Sequence, residues 1–327
     1  MTSSAIYSLN NFSAYLHTPQ IFVLDLSRAS VSDVIEELIQ IRTESTPNAY
    51  KQYFTLKKQL AKLEESFGIT LMPEQVTDIF WSHFISFLIN ESHLALSSIR
   101  TICAQLKSIL AWASRYSCRV APSFDKYKVP SYKRTQIALT PDEVSHIAHF
   151  DISTIDRRPQ HLRTLELVRD TFVLACSLGQ RYSDIIRIEP DNFDRNIFSI
   201  TQQKTGNRAR VDIDKMAIDK ATVYRLLQKY NYKCPTTTDT TNFDKYIHEL
   251  TKYIGGEFLE QIRYERKVNG IVETKYIEKW RLISSHTGRR TFATVNVLRG
   301  YSEAEIRRAT GHTSSSSFEK YICYGDE

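Results

Sequence analysis

Two histidines, an arginine and a tyrosine fall within 36 residues near the C-terminus: His286, Arg289, His312 and Tyr321. The chain there reads His286-Thr-Gly-Arg289-Arg290-Thr-Phe-Ala-Thr, then Gly311-His312-Thr-Ser, with Tyr321 nine residues beyond His312. These side chains suit work on a phosphate ester. A guanidinium grips phosphoryl oxygens and offsets their charge, an imidazole donates or shuttles a proton, and a phenol oxygen attacks covalently. On a helix, His286 and Arg289 share a face while Arg290 points elsewhere. His312 follows a glycine at a helix end, a place set by backbone geometry. With 18 tyrosines in the chain, spacing alone does not establish the set.

Such residues need a frame. Apolar spacing at i, i+3, i+4 and i+7 predicts four helices before residue 118. The first covers 31–41, with Val34, Ile35, Leu38 and Ile39 on one face. The second opens at Thr46-Pro47, a cap and a first-turn proline, and closes near Gly68. The third runs over 73–89 with Val76, Ile79, Phe80, Phe84, Phe87 and Leu88 inward. In the fourth, Ile99, Ile102, Cys103, Leu106, Ile109, Leu110 and Ala113 face inward, while Arg100 and Lys107 offer charge on another face. A second domain opens at Thr140-Pro141-Asp142-Glu143, where a cap, a proline and a capping-box acid coincide. Helices are expected at 141–149 and 161–178, with a short one after Ser183. A hairpin follows over 197–202 and 209–213, turning through Thr205-Gly206-Asn207. Helices at 214–230 and 242–254 precede a second hairpin around Asn269-Gly270. Further helices are expected at 286–299, at 303–309 behind a Ser302/Glu305 box, and at 315–322. The fold class is mainly α with a small β-sheet (α+β). The organisation is a tail over 1–29, a four-helix domain over 30–118, a linker over 119–138 and a mixed domain over 139–327.

Composition narrows the function classes. The chain has 327 residues, 42% apolar and 24% charged, which is ordinary for two globular domains. Its longest apolar runs are five residues, too short to span a membrane, and the N-terminus does not read as a signal peptide. Five scattered cysteines fit neither a disulfide framework nor a zinc site and point to a reducing cytoplasm. Between residues 100 and 134 eight basic residues (Arg100, Lys107, Arg115, Arg119, Lys126, Lys128, Lys133 and Arg134) face one acid, Asp125. That excess suits a polyanion bound through phosphate contacts, and equally a solvated linker.

SHTGRRTFAT followed by TGHTSSSSFEKY resembles the tyrosine recombinase (phage integrase) family, whose hallmark is H-x-x-R, then G-H, then a tyrosine nine residues on. Leu174-Ala-Cys-Ser-Leu-Gly-Gln-Arg181-Tyr-Ser-Asp184 is similar to the family's first arginine box, and Gln202-Gln203-Lys204-Thr205-Gly206 to its lysine-bearing turn. The four-helix region resembles the family's core-binding domain, a SAM-like DNA-binding module, so the likeness covers about residues 30–322.

The resemblance implies that Arg181 and Arg289 clamp the non-bridging oxygens of a scissile phosphate in DNA. It implies that Lys204 protonates the leaving 5′-oxygen and that His312 hydrogen-bonds the phosphate. His286 would orient the phosphate or help move the nucleophile's proton, and Tyr321 would form a 3′-phosphotyrosyl link, its ionisation helped by the surrounding cations. Tyr324, twelve residues after His312, competes with Tyr321. Asp184, three residues beyond Arg181, would hold an arginine or histidine in place. No cofactor, neither ATP nor metal, is implied. The expected partners are duplex DNA, a homotetramer on two DNA sites built from monomers or dimers, and room for an accessory DNA-bending protein, in a cytoplasmic, nucleoid-associated setting. Two alternatives stay open: a type IB topoisomerase-like enzyme and a non-catalytic DNA-binding protein of the same fold. Only six residues follow Tyr321, and the N-terminal tail is shorter than the arm-binding domain of larger members. Both lean towards a simpler inversion or resolution enzyme, or a trimmed integrase.

Overall fold

The computed structural model describes residues 25–45, 49–129, 135–236, 238–268 and 271–323. The cap at Thr46-Pro47, the Asn269-Gly270 turn, Lys133, Arg134 and Tyr324 lie outside them. The chain divides into two compact units, Met1–Lys133 with Lys267–Glu273, and Arg134–Arg266 with Thr274–Glu327.

Four helices make the first unit: α1 (Val31–Ser45), α2 (Ala49–Phe67), α3 (Asp78–Asn90) and α4 (Leu96–Ala113). Their apolar stripes meet in one core around Val34, Leu56, Trp81, Phe84, Leu106 and Ile109. The inward face expected of the fourth helix is buried residue for residue. The third departs from expectation. Residues 73–75 form a separate 3-10 turn, and Thr77 caps a fresh helix by accepting the Phe80 N–H. Val76, Phe84, Phe87 and Leu88 are buried as expected and Trp81 joins them, whereas Ile79, two residues and about 200° from Trp81, is 72% exposed. The segment expected as an extended interdomain linker is packed over its first half. Val120, Phe124, Tyr127 and Val129 pack against this core, with Trp81 Nε1 donating to the Phe124 carbonyl (3.0 Å).

The second unit is built on α6 (Pro159–Leu178), buried on almost every side from Thr171 to Leu178. Around it lie α5 (Pro141–His149), α7 (Tyr182–Ile185), α8 (Ile213–Met216), α9 (Lys220–Lys229), α10 (Thr240–Ile254), α11 (Ser285–Leu298), α12 (Glu303–Thr310) and α13 (Ser315–Phe318). The capping boxes at Thr140/Glu143 and Ser302/Glu305 form as expected. An antiparallel sheet of order β1-β2-β3 joins Phe193–Asp194, Ile197–Thr201 and Arg208–Asp212, with Phe198 opposite Val211 and Ile200 opposite Ala209 on the buried face. A second, two-stranded sheet pairs β4 (Gln261–Val268) with β5 (Ile271–Glu278). Inside the core Asp170 is held by Arg169, Lys229 and the Tyr230 hydroxyl (2.7 Å), so a buried carboxylate is fully answered. Among the described residues no helix is long and apolar enough to cross a membrane, and none of the five cysteines is in a disulfide.

Candidate active site

Helix α6 ends at Gly179, whose φ of +65° suits glycine, and a Cβ there would lie 2.4 Å from the Phe292 ring. The turn delivers Arg181, half-buried, to the N-cap of α7, where its Nη1 donates to Gln202 Oε1 (2.7 Å). Helix α11 starts where Asp244 accepts the Ser285 N–H (2.6 Å), and its first turns carry His286 and Arg289. Arg289 is wholly buried. Its Nη1 donates to the Gly179 carbonyl (3.0 Å), while its Nε has no partner.

Helix α12 ends at Gly311, φ +68°, where an added Cβ would meet the Gln202 amide at 2.7 Å. The next residue, His312, has Nδ1 2.8 Å from Thr310 Oγ1. That hydroxyl already donates to the Ile306 carbonyl (2.7 Å), so the imidazole Nδ1–H donates to Thr310 and leaves Nε2 as an acceptor. Arg289 Nη2 donates to it at 3.0 Å. The ring is therefore a neutral imidazole. In agreement, burial first, then the charges of Arg289, Arg181 and Arg307, push its pKa down to about 3. Arg289 is lowered to about 10, chiefly by burial and then by Arg181, and remains a cation at neutral pH. His286 lies exposed at the start of α11. Desolvation of its ring, then the charges of Arg290, Arg289 and Arg181, hold its pKa below the ordinary value.

Tyr321 follows α13 in a 3-10 turn, with Thr294 of α11 accepting the Cys323 N–H (3.1 Å) just beyond it. Its ring centroid is 4.7 Å from that of His312 and 6.5 Å from that of His286. The Arg289 guanidinium carbon stands 5.2 Å over it. Lys204 sits in the turn between β2 and β3, exposed and without a hydrogen bond or ion pair among the described residues.

Asp184, buried completely, has an arginine beside it, Arg187 (3.7 Å), and in addition accepts the Gln203 N–H (2.8 Å), bracing the Lys204 turn. The helical register carries its carboxylate past Arg181 to the β2–β3 turn. Of the expected DNA contacts, Arg100, Arg115, Arg119, Lys126 and Lys128 are exposed. Lys107 is a correction: its ammonium donates to the Asp125 (2.9 Å) and Tyr127 carbonyls and lies over the Trp81 ring, pinning the chain that follows α4. A lysine half-buried beside two carbonyls is drawn inward by them.

Sequence reasoning missed two features. One is the role of Gln202, with Gln180, at the centre of the cluster; both stand in the quoted boxes, but an uncharged amide gives no sign of what it will hold. The other is a cavity of about 480 Å³ lined by Asn207, Arg208, Arg307, Arg308, Gly311 and His312. Its arginines come from β3 and α12, far apart in sequence, so no local charge run announces it.

Fold and site together define the tyrosine recombinase class. The family model described as the phage integrase family matches residues 138–325, and the chain belongs to that family. No curated protein sequence matches the chain. Among solved structures, a lambda integrase(75-356) dimer bound to a COC′ core site is similar with a TM-score of 0.64 at 15% identity, covering 90% of this chain and 97% of that one. The Tn1549 transposon integrase in complex with a circular intermediate DNA gives 0.62 at 13%, covering 91% and 96%. A lambda integrase tetramer bound to a Holliday junction gives 0.62 at 15%, covering 91% and 79%. These likenesses carry the fold through both units.

Proposed function

We propose that this tyrosine recombinase cuts and rejoins duplex DNA at a specific site through a 3′-phosphotyrosyl intermediate on Tyr321. The observation that carries this is the packing of the Tyr321 ring against the buried Arg289–His312 pair. Arg181 and Arg289 stabilise charge on the non-bridging oxygens of the pentacoordinate phosphorus. The free Nε–H of Arg289 is a donor ready for one of them. The Tyr321 oxygen attacks phosphorus, and the bond to the 5′-oxygen breaks. Lys204, on its exposed turn, gives that oxygen a proton. His286, neutral at pH 7, is suited to take the phenol proton or to orient the phosphate, while His312, its two ring nitrogens paired with Thr310 and Arg289, holds the Arg289 guanidinium in place. Attack by the freed 5′-hydroxyl of a second strand reverses the step and conserves the phosphodiester, so no external energy source enters. Arg208 and Arg308, beside His312, and the exposed basic residues of the first unit contact flanking phosphates. A tetramer on two sites, passing through a Holliday junction, is the assembly in which strands would exchange.

The test is a nicked suicide duplex, selected from a randomised pool by adduct formation and read on a denaturing gel. Tyr321→Phe should bind DNA but form no adduct, because only the attacking oxygen is removed. An adduct that persists refutes Tyr321 as nucleophile. An adduct without joint molecules favours a topoisomerase-like enzyme, and no wild-type adduct favours a DNA-binding protein.

A further inference from the structure

We infer that Gln202 is a positioning residue that aligns the phosphate-binding arginine, the lysine turn and the His312 segment through one buried amide. This role rests on the strand-cleavage reading above. Gln202 is 1% exposed, yet every hydrogen-bonding capacity of its amide is filled. Its Oε1 accepts from Arg181 Nη1 (2.7 Å) and from Thr205 Oγ1 (3.0 Å). Its Nε2 donates to the Thr310 carbonyl (2.8 Å) and to Gln180 Oε1 (3.1 Å). A guanidinium on one side and a backbone carbonyl on the other allow only one orientation of the amide.

Each partner belongs to a different part of the site. Arg181 caps α7, Thr205 lies in the turn beside Lys204, and Thr310 ends α12 two residues before His312. The backbone of Gln202 ties the same turn, accepting the Gly206 N–H (2.9 Å) and donating to Asn207 O (2.9 Å). Gln180 extends the clamp, its Nε2 donating to the carbonyls of Leu178 (2.7 Å) and Ala309 (2.8 Å). The approach of Gly311 to this amide leaves no room for a side chain at 311. Arg181 therefore reaches the phosphate with one guanidinium arm already fixed, and the entropy of fixing it is met on folding.

The amide acts on the reaction through Arg181, so its loss should track the phosphate's charge. Gln202→Met keeps length and volume but removes the amide; Gln202→Ala is a second, smaller variant. Both are tested with Arg181→Ala and the Gln202→Met/Arg181→Ala double variant on the wild-type-selected nicked duplex. The duplex carries either the ordinary phosphodiester or a methylphosphonate, which is neutral, at the scissile position. Expected is a fall of about 10- to 100-fold in adduct rate for Gln202→Met on the phosphodiester, most of it recovered on the methylphosphonate. The double variant should be no slower than Arg181→Ala alone. Because both substrates are read on one preparation, partial unfolding lowers both equally. Equal deficits on the two substrates, or a double variant whose defects multiply, overturn the inference. A wild-type adduct with no Gln202 effect defeats this role alone, whereas no wild-type adduct defeats the cleavage reading and this role with it.

Discussion

Acid should destabilise this protein through His312. In the unfolded chain the imidazole takes up a proton near its ordinary pKa of 6.5, whereas burial and three guanidinium neighbours hold the folded value to about 3. Between those values the unfolded state binds one more proton than the folded state. The contribution is therefore complete above pH 6.5 and is lost as pH falls towards 3. Each pH unit in that window removes about 1.4 kcal/mol, so from about pH 7.5 to about pH 5 the loss is about 2 kcal/mol. Any folded pKa below about 4 gives nearly the same figure, because the ring stays unprotonated throughout that range. The mechanism is visible in the hydrogen bonds: Nε2 accepts from Arg289 and has no room for a proton facing that cation.

The assay is urea unfolding at several pH values on wild type and His312→Gln, which retains an acceptor for Arg289 but does not titrate. Histidine ring resonances recorded by NMR over the same range report protonation directly. The wild type should lose about 2 kcal/mol more than the variant between those pH values, and the His312 resonance should stay still above pH 5. His286 is lowered too and acts with the same sign, so His286→Gln serves as a control. Parallel pH dependence in wild type and His312→Gln, or a His312 resonance titrating near 6.5, would refute the reasoning.

Arg289→Met should abolish adduct formation yet change stability little. Burial and the charge of Arg181 disfavour the buried cation, which offsets its hydrogen bonds to the Gly179 carbonyl and His312 and its contact over Tyr321; a urea midpoint that falls sharply in the variant would show this balance to be wrong. Lys204→Ala should slow cleavage of ordinary DNA by roughly 10²–10⁴ and largely recover on a duplex with a 5′-bridging sulfur, which leaves without a proton, while Arg181→Ala should not; equal deficits on both substrates would remove Lys204 from the acid role. Arg208→Ala with Arg308→Ala should weaken binding alike on specific and random DNA and flatten the salt dependence by up to about two counterions, a slope read from binding isotherms, and an unchanged slope would leave the groove without a phosphate.

The sequence made some elements plain and misled on others for definite reasons. The face of α4 was legible because seven apolar residues at helical spacing admit one inward orientation. In the third helix Phe84, Phe87 and Leu88 were legible but the start was not, since the cap at Thr77 interrupts a pattern that looks continuous from Pro73. Ile79 was misplaced because it lies five residues and about 140° from Phe84, off the stripe that Phe84, Phe87 and Leu88 share. Lys107 was read as surface charge because periodicity tells which face a residue lies on and not what returns to cover that face. Here the chain after residue 118 folds back over it. Asp184 was assigned to an arginine or histidine by helical spacing and stands beside Arg187, but its hydrogen bond from a backbone N–H in a hairpin nineteen residues later had no local signal.

By itself the sequence determined the family, the two kinds of unit and the types of residue at the site, because caps, apolar periods and the H-x-x-R, G-H and tyrosine boxes are local patterns. Tertiary structure decided how those boxes act on one another. Arg289 is a fully buried cation, His312 a neutral acceptor, and Gln202 the amide that joins three boxes, only because α6, α11, α12 and the β2–β3 turn converge. Charge state and hydrogen-bond direction depend on burial and on neighbours more than a hundred residues away, such as Gly179 for Arg289 and Thr310 for Gln202. No pattern confined to one segment encodes them.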